Sequence, residues 1–263
     1  LKNILNFSAW LLENEERDDF YKNELNSSFW KKINDSLPDN NAENYEFDPS
    51  IRKKLLEVAE DFYSSLGFSP SIQDIQLTGS LANYNWTDKS DLDVHVLIDF
   101  SEIDENFTLV KKAVDGLRFI WNLRHKLKMR GYDVELYVQD INEPHTASGL
   151  FSLLNNKWIR IPKYNPPEID YQDVDKKFQG IVSDILEMEN IINTSDFTNA
   201  KEVEIYEHAL EVKKKIMKMR KEGLEREGEF SVENLAFKKL RNEGYIEKII
   251  ELISKAYSNI YNE

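Results

Sequence analysis

The residues that could do chemistry gather in two short stretches. Gly79-Ser80 comes first, and after a short interval Asp91-Leu92-Asp93-Val94 follows. Strand side chains alternate, so residues two apart project to one side, and Asp91 and Asp93 can reach the same ligand where adjacent residues could not. Converging carboxylates suit phosphoryl chemistry, in which two divalent ions about 3.5–4 Å apart stabilise the attacking and leaving oxygens. Such an oxygen-rich site fits magnesium, with manganese as the alternative. Gly79 would let backbone approach a triphosphate with no side chain intervening. Ser80 would offer a hydroxyl and an amide at an expected helix N-terminus, both toward the β and γ phosphates. A Gly-Ser pair alone is usually just a turn; its combination with the spaced carboxylates narrows the reading.

A metal pair also calls for a third carboxylate. Asp133-Val134-Glu135-Leu136-Tyr137 repeats the polar and apolar alternation. Glu135, flanked by two apolar neighbours, is the choice, and Asp133, on the same face, is the other candidate.

Three strands are expected to carry these groups, at about Ile72 to Leu77, Asp91 to Asp99 and Asp133 to Gln139. In the second, Leu92, Val94, Val96 and Ile98 fall on one face and Asp91, Asp93 and His95 on the other. A helix from Ile51 to Ser65, stopped by Gly67 with Pro70 beyond, precedes them. Another, with Val110, Val114, Leu117 and Trp121 in its stripe, ends near Gly131 and would cover the sheet. Phe151 to Leu154 and Trp158 to Ile161 flank Asn155-Asn156 as a hairpin, after which Pro162, Pro166 and Pro167 place a boundary near residue 165. The remainder reads as helices at about Tyr171 to Ile192, Val203 to Arg226, Val232 to Asn242 and Tyr245 to Ile260. The start of the chain reads as a helical appendage at Phe7 to Leu12, then a turn-rich connecting run from Asn34 to Ser50.

Gly79-Ser80 followed by Asp91-Leu92-Asp93 resembles the signature of the DNA polymerase beta superfamily of nucleotidyltransferases, over roughly residues 72 to 140. The resemblance implies that Gly79 and Ser80 bind the phosphates of an incoming nucleotide. It also implies that Asp91 and Asp93 bind two metals, and that a third acidic residue on a later strand, here Glu135, completes the site. That third position is commonly Asp in the superfamily, a departure in this chain. The stretches Leu77 to Trp86, Glu135 to His145 and Glu229 to Leu240 also resemble uncharacterised nucleotidyltransferase-like proteins of tailed bacteriophages.

Composition sets the limits. The formal net charge is -14, so a general electrostatic grip on nucleic acid is not expected, because phosphate binding needs clustered positive charge. The absence of cysteine excludes disulfides, thiolate zinc sites and cysteine nucleophiles. No secretory h-region or membrane-length apolar run is found, which makes a cytoplasmic setting the expectation. A calcium loop from Asp88 fails because Leu92 cannot ligate and Asp93 replaces the required glycine. No Gly-x-Ser-x-Gly elbow or Walker-type loop is present.

Other residues carry two readings each. His95 either touches acceptor or phosphate, or is a buried structural histidine. His145 lies on a loop past the third strand, within reach of a substrate or simply solvated. An aromatic among Asn83, Tyr84, Asn85 and Trp86 would stack on a base or pack ordinarily. Lys213, Lys214, Lys215, Lys218, Arg220 and Lys221 either reach a triphosphate or form a solvated helix face, and Arg124, Lys126, Lys128 and Arg130 share that ambiguity. His125 and His208, on helices, suggest no role.

The expectation is therefore an α+β protein: an N-terminal segment over residues 1–50, a nucleotidyltransferase-like mixed sheet with covering helices over 51–165, and a helical domain over 166–263 that closes over the nucleotide. The expected reaction moves a nucleoside monophosphate from a nucleoside triphosphate to a hydroxyl of RNA, protein or a small molecule, releasing pyrophosphate, with no membrane involved. The competing readings are an inactive nucleotide-binding or structural module of the same fold, and a toxin or antiviral enzyme that modifies transfer RNA or makes a nucleotide messenger.

Overall fold

A computed structural model describes residues 20–145, 147–194 and 199–261. The chain divides into two compact units, one ending at Pro166 and the other beginning at Pro167.

The first unit is built on a mixed sheet. Its strands are β3 (Asp74–Thr78), β4 (Asp91–Ile98), β5 (Lys128–Met129), β6 (Tyr132–Asp140), β7 (Leu150–Ser152) and β8 (Lys157–Arg160), in the spatial order β5-β6-β4-β3-β7-β8. Among the described strand pairs, only β4 and β6 run parallel. Parallel neighbours need a crossover, and here helix α2 (Phe107–Arg124) supplies it. Helix α1 (Pro49–Leu66) precedes β3. Asp48 begins it by accepting from the Ser50 and Ile51 amides, and Gly67 ends it in the left-handed conformation at φ 72°.

Alternation along β4 sorts the sheet's faces. Leu92, Val94, Val96 and Ile98 are fully buried while Asp91, Asp93, His95 and Leu97 are half-buried. The apolar face is covered by helices whose rings interlock, Phe62 of α1 meeting Trp121 of α2 edge-on at 5.0 Å. Helix α2 also closes the open edge of β6. There the Asn122 side chain donates to the Leu136 carbonyl at 3.0 Å and accepts from the Leu136 N–H at 3.3 Å, standing in for a missing strand.

The N-terminal segment differs from the expected appendage. The pattern at Phe7 to Leu12 lies outside the described residues, but Leu25, Phe29, Trp30, Ala42, Tyr45 and Phe47 belong to the core of the first unit. Strands β1 (Trp30–Lys32) and β2 (Tyr45–Phe47) form an antiparallel ribbon. Trp30 stacks on Trp158 at 4.6 Å and meets Phe151 edge-on at 5.1 Å. The reason is large aromatic area: Phe29, Trp30 and Phe47 are almost wholly buried, and their irregular spacing gives no helical or strand period to read.

The second unit is helical, with α3 (Tyr171–Thr194), α4 (Asn199–Glu227), α5 (Val232–Asn242) and α6 (Tyr245–Tyr261). Its core includes Phe178, Ile185, Ala209, Ile216, Leu235, Leu240 and Ile249. None of the described helices is long and apolar enough to cross a membrane.

Candidate active site

Register assembles the site. Asp93 is the cross-strand partner of Glu135 on parallel β6 and of Thr78 on antiparallel β3, so the three share one face at neighbouring positions. Adjacent strands are about 5 Å apart, so Asp93 and Glu135 are neighbouring positions on that face. Asp91 lies one pleat earlier, opposite Asp133. Asp133 is the more exposed acid and is held by Lys128 Nζ at 2.8 Å.

Gly79 is shaped by this acid. Its φ of 75° and ψ of -162° belong to a region only glycine enters readily, and a Cβ there would fall 2.0 Å from Asp93 Oδ2. Bare Cα at position 79 therefore lets the end of β3 lie against the carboxylate. The helix N-terminus expected at Ser80 is that of a single 3-10 turn, Ser80–Ala82. The Ser80 hydroxyl meets Ser90 Oγ at 2.8 Å, and Ser90 Oγ also accepts from the Thr87 N–H at 2.9 Å. The Gly79-Ser80 turn is thus tied to the residue just before Asp91. The N-terminal segment braces it from outside: Trp30 Nε1 donates to the Leu81 carbonyl at 2.8 Å, and the Lys22 N–H to the Tyr84 carbonyl at 2.6 Å.

Along the strands beyond the acids, the same face carries His95, Tyr137 and Gln139. The Tyr137 hydroxyl donates to Glu135 Oε2 at 2.5 Å. Burial first, and then the Asp93 charge and the bond to Glu135, push the Tyr137 phenol far above its ordinary range. His95 stacks on Tyr137 at 4.7 Å, and the Arg118 guanidinium lies over the Tyr137 ring at 4.4 Å. Burial lowers the His95 imidazole to about 4 against a smaller opposing effect from its bond to Gln139, so it is neutral at pH 7. Burial also lowers His145, with Arg160 adding to the effect.

Sequence reasoning assigned no role to Tyr137, Gln139 or Arg118. The first two were within its reach, since the period of two that selects Glu135 continues to them. Arg118 arrives from α2, and no local pattern announces that contact.

Other candidates resolve into packing. Tyr84 is fully buried with its ring near those of Tyr21 and Tyr164, and Trp86 Nε1 donates to the Glu24 carbonyl at 2.9 Å, so these rings serve the fold. Lys214, Lys215, Lys218 and Lys221 are exposed and pair with Glu211, Asp184, Glu222 and Glu225. Arg220 differs, lying over the Phe237 ring at 4.3 Å. His125 stacks on Trp121.

Among the described residues, no three acidic or histidine side chains converge tightly enough to hold an ion alone. Magnesium does not require that. It keeps several waters and commonly takes one or two carboxylates plus substrate phosphates, and Asp93 with Glu135, joined by Asp91 one pleat away, fits such an open donor set. Neither protein-family models nor curated proteins match this sequence.

Proposed function

We propose that the chain is a metal-dependent nucleotidyltransferase of the nucleotidyltransferase-like fold that its Gly-Ser and Asp-x-Asp spacing resembles. The observation that supports this best is the register of Asp93 with Glu135 across parallel strands, with Gly79 lying against the Asp93 carboxylate. Asp91, Asp93 and Glu135 are the groups to hold magnesium or manganese, which when bound would neutralise phosphate charge and polarise the α-phosphate. The acceptor hydroxyl oxygen forms a bond to the α-phosphorus of a nucleoside triphosphate. The bond from that phosphorus to the β-phosphate's bridging oxygen breaks, and pyrophosphate leaves with the electron pair. The hydroxyl proton passes toward Glu135, whose carboxylate the Tyr137 hydroxyl holds in place. The backbone at Gly79 and Ser80 is the place for the β and γ phosphates, since bare glycine lets them approach closely.

The test is incubation of the protein with each of the four α-labelled triphosphates, in magnesium or manganese, with total RNA, protein or small hydroxyl compounds as acceptors. Labelled product and pyrophosphate are expected with at least one acceptor class. Asp93→Asn should fold normally yet lose at least about a thousandfold in turnover, several kcal/mol of transition-state stabilisation. Near-normal turnover in that variant would falsify the assignment. Nucleotide binding without product under every condition would favour an inactive module of the same fold.

A further inference from the structure

The acidic pair occupies only part of the polar face. Farther along the same strands a cleft of about 220 Å³ opens between β4, β6, α2 and the loop after β6, lined by His95, Lys111, Asp115, Tyr137, Gln139 and His145 among others. His95 and Tyr137 each stand two residues past Asp93 and Glu135, about 7 Å along the strands. Tyr137 joins the two places directly, because its ring lines the cleft while its hydroxyl reaches Glu135.

The cleft is built in advance. Arg118, Tyr137, His95 and His145 form a column, with spacings of 4.4 Å, 4.7 Å and 5.4 Å from one to the next. Lys111 Nζ holds the Glu143 carboxylate at 2.9 Å and 3.1 Å, fastening the loop to α2. Arg160 fastens it from β8 through the His145 carbonyl at 3.1 Å.

Its polar edges are incompletely used. Among the described residues, His145 Nε2 is buried with no hydrogen-bond partner, an unmade bond that a ligand hydroxyl would supply. Gln139 directs its amide nitrogen to the Glu143 carbonyl at 3.5 Å, which turns its oxygen to His95 Nδ1 at 2.7 Å. An amide oxygen only accepts, so the His95 proton sits on Nδ1 and its Nε2 is an acceptor. Around the cleft Lys111 is engaged by Glu143, Arg118 stands 3.9 Å from Asp115, and Arg160 donates to the His145 and Ala147 carbonyls, so each of these cations already has a partner and a phosphate gains little there. The volume lies below the roughly 300–1,000 Å³ of pockets for drug-sized ligands, leaving room for one small ring.

The geometry points to this cleft as an acceptor subsite for an uncharged, polyhydroxylated small molecule of single-ring size, held by the His95 and His145 imidazole edges. One of its hydroxyls extends along the strands toward Asp93 and Glu135. That direction rests on the transferase reading, with its oxygen bonding to the α-phosphorus as pyrophosphate departs; binding in the cleft does not rest on it.

Imidazole ¹H–¹⁵N NMR tests this, since the chain has four histidines. The intact protein is titrated with ribose, glucose and myo-inositol, and in parallel with ribose 5-phosphate and glucose 6-phosphate. At least one free polyol should shift the His95 and His145 signals saturably and leave those of His125 and His208 in place, with its phosphate ester at least tenfold weaker. His145→Phe, a loop substitution that fills the cleft, should abolish the His95 response while binding of a fluorescent triphosphate persists. No response to any of the three polyols, or tighter binding of the esters, overturns the subsite. Polyol binding with no triphosphate consumed would retain the cleft and remove the transferase reading. Triphosphate binding sensitive to Asp93→Asn, with no polyol response, would do the reverse.

Discussion

Two carboxylates, one in each unit, are held in opposite ways. Glu233, near the start of α5, is largely buried and is met by Lys177 Nζ at 3.0 Å and Arg226 Nη2 at 2.8 Å. Burial pushes its carboxyl up, but the Lys177 ammonium, the helix-start N–H and Arg226 outweigh that and hold it at about 2. Glu135 is met by a hydroxyl, that of Tyr137, and its register partner is another acid, Asp93. A carboxylate that serves the fold is surrounded by cations supplied by the chain. On the β4–β6 face Asp133 is likewise held by Lys128, whereas Asp93 and Glu135 are register partners of the same charge, a placing that would suit a cation from outside.

The comparison breaks most visibly at Glu233. Its carboxyl lies below the ordinary 4.5 in the folded state, so its contribution is fully present above pH about 4.5 and lost as pH falls toward about 2. The contribution amounts to roughly 3 kcal/mol. Urea unfolding of Glu233→Gln at pH 7 should show a loss of roughly 2–3 kcal/mol, and the gap from the parent protein should close toward pH 2. A gap that does not narrow in acid would remove the ion-pair explanation.

Gly79→Ala comes next, at about 1–3 kcal/mol of destabilisation, because the new methyl combines a disfavoured φ with a clash against Asp93. The clash lands on a candidate metal-binding oxygen, so turnover should fall far more than stability does. Gly223 makes the control. A Cβ there would meet Glu233 Cβ at 2.6 Å and Ser231 Oγ at 2.7 Å, far from the β4–β6 acids in sequence. Alanine at Gly223 should cost stability, partly offset by about 1 kcal/mol of improved helix propensity, and spare turnover. Equal losses of turnover in the two variants would show that Gly79 acts through general stability alone.

What the sequence reveals here follows from periodicity. Leu92, Val94 and Val96 alternate with the polar Asp91, Asp93 and His95, and the buried pattern of β4 follows that alternation and carries it on through Leu97 to Ile98. Gly67 marks the end of α1 because its left-handed conformation is a glycine preference. The candidate acids are legible for the same reason, since spacing by two puts them on one face. Contacts made at long range leave no such trace. Trp30 holding the Leu81 carbonyl spans 51 positions, and aromatic packing gives Phe29, Trp30 and Phe47 no period of their own. The Ser80 to Ser90 bond, which draws the two halves of the motif together, likewise depends on how the intervening turn closes.

The smallest expected effect is also the one that separates the two kinds of carboxylate by sign. Like charges directly opposite on neighbouring strands repel, at about 0.2–1 kcal/mol for such a pair. Glu135→Gln removes one of those charges while keeping an oxygen to accept from Tyr137. With a chelator present, the variant should therefore melt at or slightly above the parent, by about 1–4 °C given the size of the first unit. Magnesium or manganese should stabilise the parent, because an ion that binds only the folded state raises its stability by mass action. It should stabilise the variant less, so the order of melting temperatures reverses on adding metal. Glu233→Gln should melt below the parent in both conditions, since its cations belong to the chain. If Glu135→Gln also melts lower with chelator, or if metal raises all three proteins equally, Glu135 is another structural carboxylate and the contrast between the two units disappears.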